Sequence, residues 1–72
     1  MYFRLYGKGP GDKQFRAMDV RKGVTVLNLF YATILNRDSA ERIRSDLGFL
    51  HDHNPGWKFE VRKIKEKPND IG

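Results

Sequence analysis

Seventy-two residues make one domain at most, and a chain this short buries only about 60% of the surface its unfolded form exposes. The sequence has no Cys and a net charge of +5, which excludes disulfides, thiolate nucleophiles and Cys-based zinc sites. A core of this size supplies roughly 3–5 kcal/mol and leaves little room for a walled pocket of ~300 Å³ or more, so function is expected on an outer surface.

The charge is unevenly placed. Residues 1–23 carry six Lys/Arg against two Asp, residues 24–56 three Arg against four acids, and residues 57–72 five basic against three acidic groups. A basic surplus draws phosphate or acidic proteins by long-range attraction, or simply keeps the chain in solution. The absence of disulfides fits a reducing cytoplasm. Met1 leads straight into the strand-like Tyr2-Phe3-Arg4-Leu5-Tyr6, with no basic start and apolar stretch, so no signal peptide is expected. The longest apolar run, Val24 to Leu35, covers 12 residues and is broken by Thr25, Asn28 and Thr33. A membrane-spanning helix needs ~20, so a soluble cytoplasmic protein without a membrane role is expected.

Tyr2 to Tyr6 is the first strand, with Phe3 and Leu5 alternating against Tyr2, Arg4 and Tyr6. Gly7-Lys8-Gly9-Pro10-Gly11-Asp12-Lys13 is a loop joining two strands as a wide hairpin. The second strand is Gln14 to Asp19, with Phe15 and Ala17 on the core face and Gln14, Arg16 and Met18 on the other. Arg21-Lys22-Gly23 is a tighter turn in which Gly23 supplies a positive φ. Val24 to Leu35 is rich in β-branched and aromatic residues and reads as a third strand. Its parity fails at Asn28, where a bulge or break is expected; a buried helix over part of the run is the other pattern it fits.

Asp38 then caps a helix running to His53, with Glu41 three residues on in an approximate capping box. Ala40, Ile43, Leu47 and Leu50 form its core stripe, and Gly48 weakens it by ~1 kcal/mol relative to Ala. Asn54-Pro55-Gly56 is a hard stop. The fourth strand begins at Trp57, with Phe59 and Val61 inward and Lys58, Glu60 and Arg62 outward. Residues 1–63 form one domain, and residues 64–72 are expected to be a flexible basic tail. The order is β-β-β-α-β. The fold class is a small α+β domain, with a four-stranded antiparallel or mixed sheet and one helix packed on one face. If the third and fourth strands run parallel, the crossover between them is right-handed. The predicted core is Phe3, Leu5, Phe15, Ala17, Ile34, Ile43, Leu47, Leu50, Trp57, Phe59 and Val61.

Four groups of residues are candidates for function. The open sheet face gathers Tyr2, Arg4, Tyr6, Gln14, Arg16, Lys58 and Arg62, and aromatics interleaved with Arg and Lys hold single-stranded nucleic acid by stacking and phosphate pairing. A plain solvated face explains the same pattern. Phe49 lies on the helix side opposite Ala40, beside Arg42, Ser45 and His53, where an exposed Phe would anchor a protein partner; a last turn distorted at Gly48 would instead swing it inward. The glycine loop with Lys8 and Lys13 lacks the order of a phosphate loop and reads as a hairpin. His51 and His53 are two residues apart, so on a helix their rings point ~200° apart and cannot share a metal. A triad from Ser39 or Ser45 would have neither pocket nor oxyanion hole. No enzyme activity, cofactor or metal is expected.

With Tyr31-Ala32-Thr33-Ile34, the helix Asp38 to His53, the turn Asn54-Pro55-Gly56 before Trp57-Lys58-Phe59, and the opening YFRLYGKGPGDKQFRAMD, the chain resembles short uncharacterised proteins of prophages and conjugative transposons of Firmicutes. That resemblance implies mobile DNA in a bacterial cytoplasm and small non-enzymatic binders, inhibitors of host defence such as anti-CRISPR proteins among them. Two functions follow as expectations. The first is a protein-binding module, an inhibitor of a defence complex such as CRISPR-Cas, acting through Phe49, Arg42, Ser45 and His53. The second is nucleic-acid binding through the open face. Val24 to Leu35 also carries apolar residues on both parities, so Leu27, Leu29 and Tyr31 are expected on the open face or against a neighbour. A homodimer through the third strand would cover them.

Overall fold

The computed structural model describes residues 1–64. Its elements are β1 (Phe3–Lys8), β2 (Arg16–Asp19), β3 (Val24–Thr25), a 3-10 turn (Leu29–Tyr31), α1 (Arg37–Ser45), α2 (Leu47–His53) and β4 (Lys58–Lys63). The four strands form one antiparallel sheet in the order β3-β2-β1-β4. This is the small α+β architecture expected, with two differences. The sheet is wholly antiparallel, which places β3 and β4 at opposite edges, so the conditional parallel crossover does not arise. The single expected helix is two.

β1 is the central strand. It pairs with β4 along its whole length, from Phe3↔Lys63 to Lys8↔Lys58, and Ile64 N–H extends the ladder to Tyr2 O at 2.8 Å. Residue 64 therefore continues the sheet rather than opening a tail, and residues 65–72 of the expected tail lie outside the described residues. Along β1, Phe3, Leu5 and Gly7 face the helices, while Arg4, Tyr6 and Lys8 face away. Phe3 and Leu5 join Met18, Leu35 and Ala40 in the buried core, and Val20, Ile43, Leu47, Phe59 and Val61 pack around it.

β2 reverses the expected parity. Directly opposed residues in an antiparallel pair share a face, and Tyr6 opposes Ala17 while Gly7 opposes Arg16. Phe15 and Ala17 therefore lie on the face away from the helices, and Met18 turns into the core. Arg16 moves from the open face to the helix side. The reason is register: β2 alternates apolar residues on both parities (Phe15 and Ala17, Met18 and Val20), so its own pattern cannot choose, and a slip by one residue inverts every side chain. Ile34 is corrected in the same way. It is exposed, and Leu35 takes the core position. Leu50 and Trp57 are half-buried; Trp57 stacks on Phe59 with ring planes 9° apart.

The run Val24 to Leu35 is not one strand. β3 ends at Thr25, and Asn28, where the break was expected, caps the 3-10 turn by accepting Phe30 N–H on its side-chain oxygen at 2.9 Å. The β1–β2 pairing covers only two residue pairs before the strands diverge, and the returning chain fills the gap. Thr33 N–H donates to Met18 O at 3.0 Å, Thr33 Oγ1 accepts Val20 N–H at 2.9 Å, and Leu35 exchanges both backbone hydrogen bonds with Phe3 at 2.9 and 2.8 Å.

Asn36, not Asp38, caps α1; its side-chain oxygen accepts Ser39 N–H at 2.8 Å. Asp38 sits instead in the first turn, where its charge suits the helix dipole. The helix breaks at Asp46, which adopts φ −97°, ψ 4° and shares its N–H between Arg42 O at 3.1 Å and Ile43 O at 3.0 Å. Asn54-Pro55-Gly56 ends α2 as expected, with Gly56 at φ +83°. A side chain there would also meet Pro10, since an added Cβ would lie 2.9 Å from its Cγ. Removing side-chain volume from this thin core should be costly. Leu5→Ala, at a 5% exposed position, is expected to cost about 2–5 kcal/mol, comparable to the whole stability of a domain this small. The half-buried Leu47→Ala should cost less. Urea denaturation of both variants checks the order, and equal midpoints for Leu5→Ala and the parent would contradict this core.

Candidate functional site

Two surfaces stand out, and neither is the one anchored on Phe49. Phe49 does remain exposed, at 61%, so the inward alternative is not adopted. It is nevertheless occupied: its ring stacks on His53 with centroids 3.9 Å apart, and His53 Nδ1 lies 3.0 Å from Phe49 O. Arg42 and Ser45 lie on α1, across the break at Asp46 from Phe49. Ser45 Oγ is committed to Glu41 O at 3.1 Å. Phe49 forms the rim of an open-sided cleft of about 380 Å³ lined by Leu5, Met18, Ile43, Leu50 and Phe59.

His51 turns the other way. Its Nε2 accepts Phe59 N–H at 3.1 Å, which ties α2 to β4. The two imidazoles thus serve separate packing contacts. Among the described residues no group of three or more His, Cys, Asp or Glu side chains converges as a metal site, and no helix is long and apolar enough to cross a membrane. In the glycine loop, Asp12 Oδ2 accepts Gly9 N–H at 2.8 Å and Asp12 N–H donates to Gly9 O at 3.0 Å. The amide a phosphate would need is already satisfied by a carboxylate.

The first surface is the helix-free face of β1 and β4. The register sets Arg4 opposite Arg62, Tyr6 opposite Glu60 and Lys8 opposite Lys58. Tyr2 lies one step beyond Arg4 on the same parity. The structure therefore brings together Tyr2, Arg4, Tyr6, Lys58 and Arg62 of the predicted face and excludes Arg16. It adds Lys8, which belonged to the predicted loop, and Phe15, which the parity of the second strand had assigned to the core. Arg62 is the hub: its guanidinium carbon lies 4.4 Å from the Tyr6 ring centre and 5.2 Å from that of Phe15, and Nη2 donates to Glu60 Oε1 at 2.9 Å. That hydrogen bond holds the Glu60 carboxyl below its ordinary value and raises Arg62. Arg4 Nε is buried without a hydrogen-bond partner among the described residues.

The second surface is the crossing segment. Val26, Leu27 and Leu29 share a shallow hollow with Tyr6, Phe15 and Ala17, so the segment crosses β2 on the helix-free face and covers Ala17. Ala32 is buried at its end, while its large apolar side chains are open to solvent. Leu27 is 84% exposed, Phe30 72%, Tyr31 63% and Leu29 50%, with Phe30 and Tyr31 in edge-to-face contact at 5.3 Å. Leu27, Leu29 and Tyr31 were the residues expected to lack cover; Phe30 joins them. Residues 24–36 carry no charge at all, and the segment is flanked by the exposed Arg21, Lys22 and Arg37.

Comparison with protein-family models, with curated proteins and with solved structures finds no match to this chain.

Phe49→Ala should change stability by less than about 0.5 kcal/mol, as surface substitutions usually do, whereas His51→Ala removes the α2–β4 tie and should lower the melting temperature. Thermal melts monitored by circular dichroism check the contrast. The Glu60–Arg62 pair has a defined sign with pH. The folded carboxyl has the lower pKa, so the pair's contribution is present above the ordinary value of 4.5 and is lost as pH falls through the lowered one. Both side chains are more than a third exposed, so the effect is small. Glu60→Gln should flatten the acid side of the stability profile and leave the neutral side nearly unchanged.

Proposed function

We propose that the chain is a small, non-enzymatic, cytoplasmic protein-binding module whose docking surface is the crossing segment around Leu27, Phe30 and Tyr31. The observation that supports it is the solvent exposure of four large apolar side chains within five consecutive residues on so small a protein. Soluble monomers seldom leave such a patch bare, and where they do it marks an interaction site. Aromatic and aliphatic anchors at the centre with a charged rim are the usual anatomy of an interface. Here the centre is neutral and the exposed Arg21, Lys22 and Arg37 flank the segment in the sequence. The partner is accordingly a protein with an apolar groove edged by acidic groups.

A second copy of the chain is the competing occupant. β3 has two residues, too few for extended edge pairing, so a dimer would have to pack segment against segment while bringing two net charges of +5 together. The setting rests on the resemblance to short proteins of mobile elements. In that setting the partner is a component of a host defence complex such as CRISPR-Cas, which the module would inhibit by occupying a surface.

The paired substitution Leu27→Asp with Phe30→Asp is expected to abolish capture of a host protein and to leave the melting temperature within a few degrees of the parent, because neither side chain is in the core. Affinity capture from a bacterial host, run with parent and variant side by side, checks this; capture that survives the variant would move the docking surface elsewhere. Sedimentation equilibrium over a hundredfold concentration range is expected to give a constant mass near 8.4 kDa. A mass that doubles with concentration would assign the segment to a second copy.

A further inference from the structure

We infer that the helix-free face of β1 and β4 is a binding site for single-stranded nucleic acid, independent of the crossing segment. The register carries the inference. Residues directly opposed on one face of an antiparallel pair come within contact distance, and like charges placed there destabilise the sheet. This face has two such pairs, Arg4 opposite Arg62 and Lys8 opposite Lys58. The intervening pair supplies Glu60, the single carboxylate that β1 and β4 carry on this face among the described residues, and Arg62 already holds it at 2.9 Å. Among the described residues, Arg4, Lys8 and Lys58 form no ion pair, and Arg4 also keeps a buried Nε without an acceptor. A sheet built only for stability would alternate charge at these positions.

A chain of phosphates resolves the conflict. The four steps from Arg4 to Lys8 along β1 span roughly 13 Å at ~3.3 Å per residue, with β4 about 4.8 Å away, so the four cations form a narrow strip that an extended backbone can follow. Tyr6 and Phe15 lie beside the strip under the Arg62 guanidinium at 4.4 and 5.2 Å, and Tyr2 is exposed at its end. Aromatic and guanidinium planes along a cationic track are what unpaired bases stack on. A duplex cannot present its bases to a flat sheet, and an acidic protein would leave the aromatic groups unused. Single-stranded nucleic acid is therefore favoured over both.

Fluorescence anisotropy with labelled oligo-dT and oligo-rU, a duplex of equal length, and polyglutamate as competitor tests this at two salt concentrations. Four phosphate contacts at a slope of about 0.7 each predict roughly fiftyfold weaker single-strand binding between 50 and 200 mM salt. Arg4→Gln with Lys58→Gln should reduce the slope of log affinity against log salt by about 1.4. The same variant should melt no lower than the parent, because it relieves both like-charge pairs. Tyr6→Ala should weaken single-strand binding without changing that slope. The inference is overturned by no binding at 50 mM salt, by a slope unchanged in the double variant, or by duplex or polyglutamate binding as tightly as the single strands.

Discussion

The structure depends on what happens where β1 and β2 part. Their hairpin is paired over two residue pairs only, which leaves backbone groups of Phe3 and Met18 without strand partners on facing sides. Buried backbone groups must be satisfied, and the chain returning from β3 does this with four hydrogen bonds through Thr33 and Leu35. The clamp fixes the path on both sides of the sheet. Before it, residues 26–32 lie across β2 on the helix-free face. After it, Leu35 enters the core and Asn36 caps α1, so the helices lie over Phe3 and Leu5. The exposed segment and the helix-covered core are two consequences of one wedge.

That arrangement uses the apolar residues unequally. The helix side receives Phe3, Leu5, Met18, Leu35 and Ala40 as its buried set, and the Arg44 guanidinium caps the Phe3 ring at 5.2 Å. The crossing segment buries Ala32 and half-buries Val26, covers Ala17, and holds four large side chains in solvent. A core this small supplies only a few kcal/mol, and this much uncovered apolar surface adds nothing to it; the proposed docking would cover it. The same holds for the opposed cations on β1 and β4, which lower the stability of the face that carries them.

Much of the fold was legible in the sequence because period and punctuation agreed. Phe3 and Leu5 alternate cleanly, Gly23 and the Asn54-Pro55-Gly56 stop lie where positive φ is needed, and Asn28 marked the break. The failures have specific causes. Phe15 and Met18 could not be sorted by parity, because a strand with apolar residues on both faces leaves its register to the partner, and Tyr6 opposite Ala17 decided it. Asn36 and Asp38 are both good caps; the earlier one prevailed because Leu35 is pinned to Phe3 immediately before it. Val24 to Leu35 looked like a strand by composition, yet a long third strand would have left the divergence of β1 and β2 unfilled. For Phe49 the sequence left an exposed and an inward placement open; the exposed one is adopted, and its stacking on His53 depended on the helix breaking at Asp46, for which only Gly48 gave any warning. On the cationic face, Lys8 was hidden because the first strand runs two residues further than its alternation suggested.

The two proposed surfaces lie side by side on the helix-free face and meet at Tyr6 and Phe15. The crossing segment lies over β2 and the cationic strip lies on β1 and β4, with Tyr6 and Phe15 at the border between them. Opposite physical forces govern the two halves. Apolar docking is insensitive to salt or strengthened by it, whereas phosphate binding weakens steeply as salt rises. An occupant of both halves at once, such as a protein carrying its own nucleic acid, would gain affinity from the short distance between two weak sites without any new contact. A rigid clamp between the halves would serve that purpose, because Thr33 fixes the segment to β2 and Leu35 fixes it to β1, the strand that also carries Arg4 and Lys8.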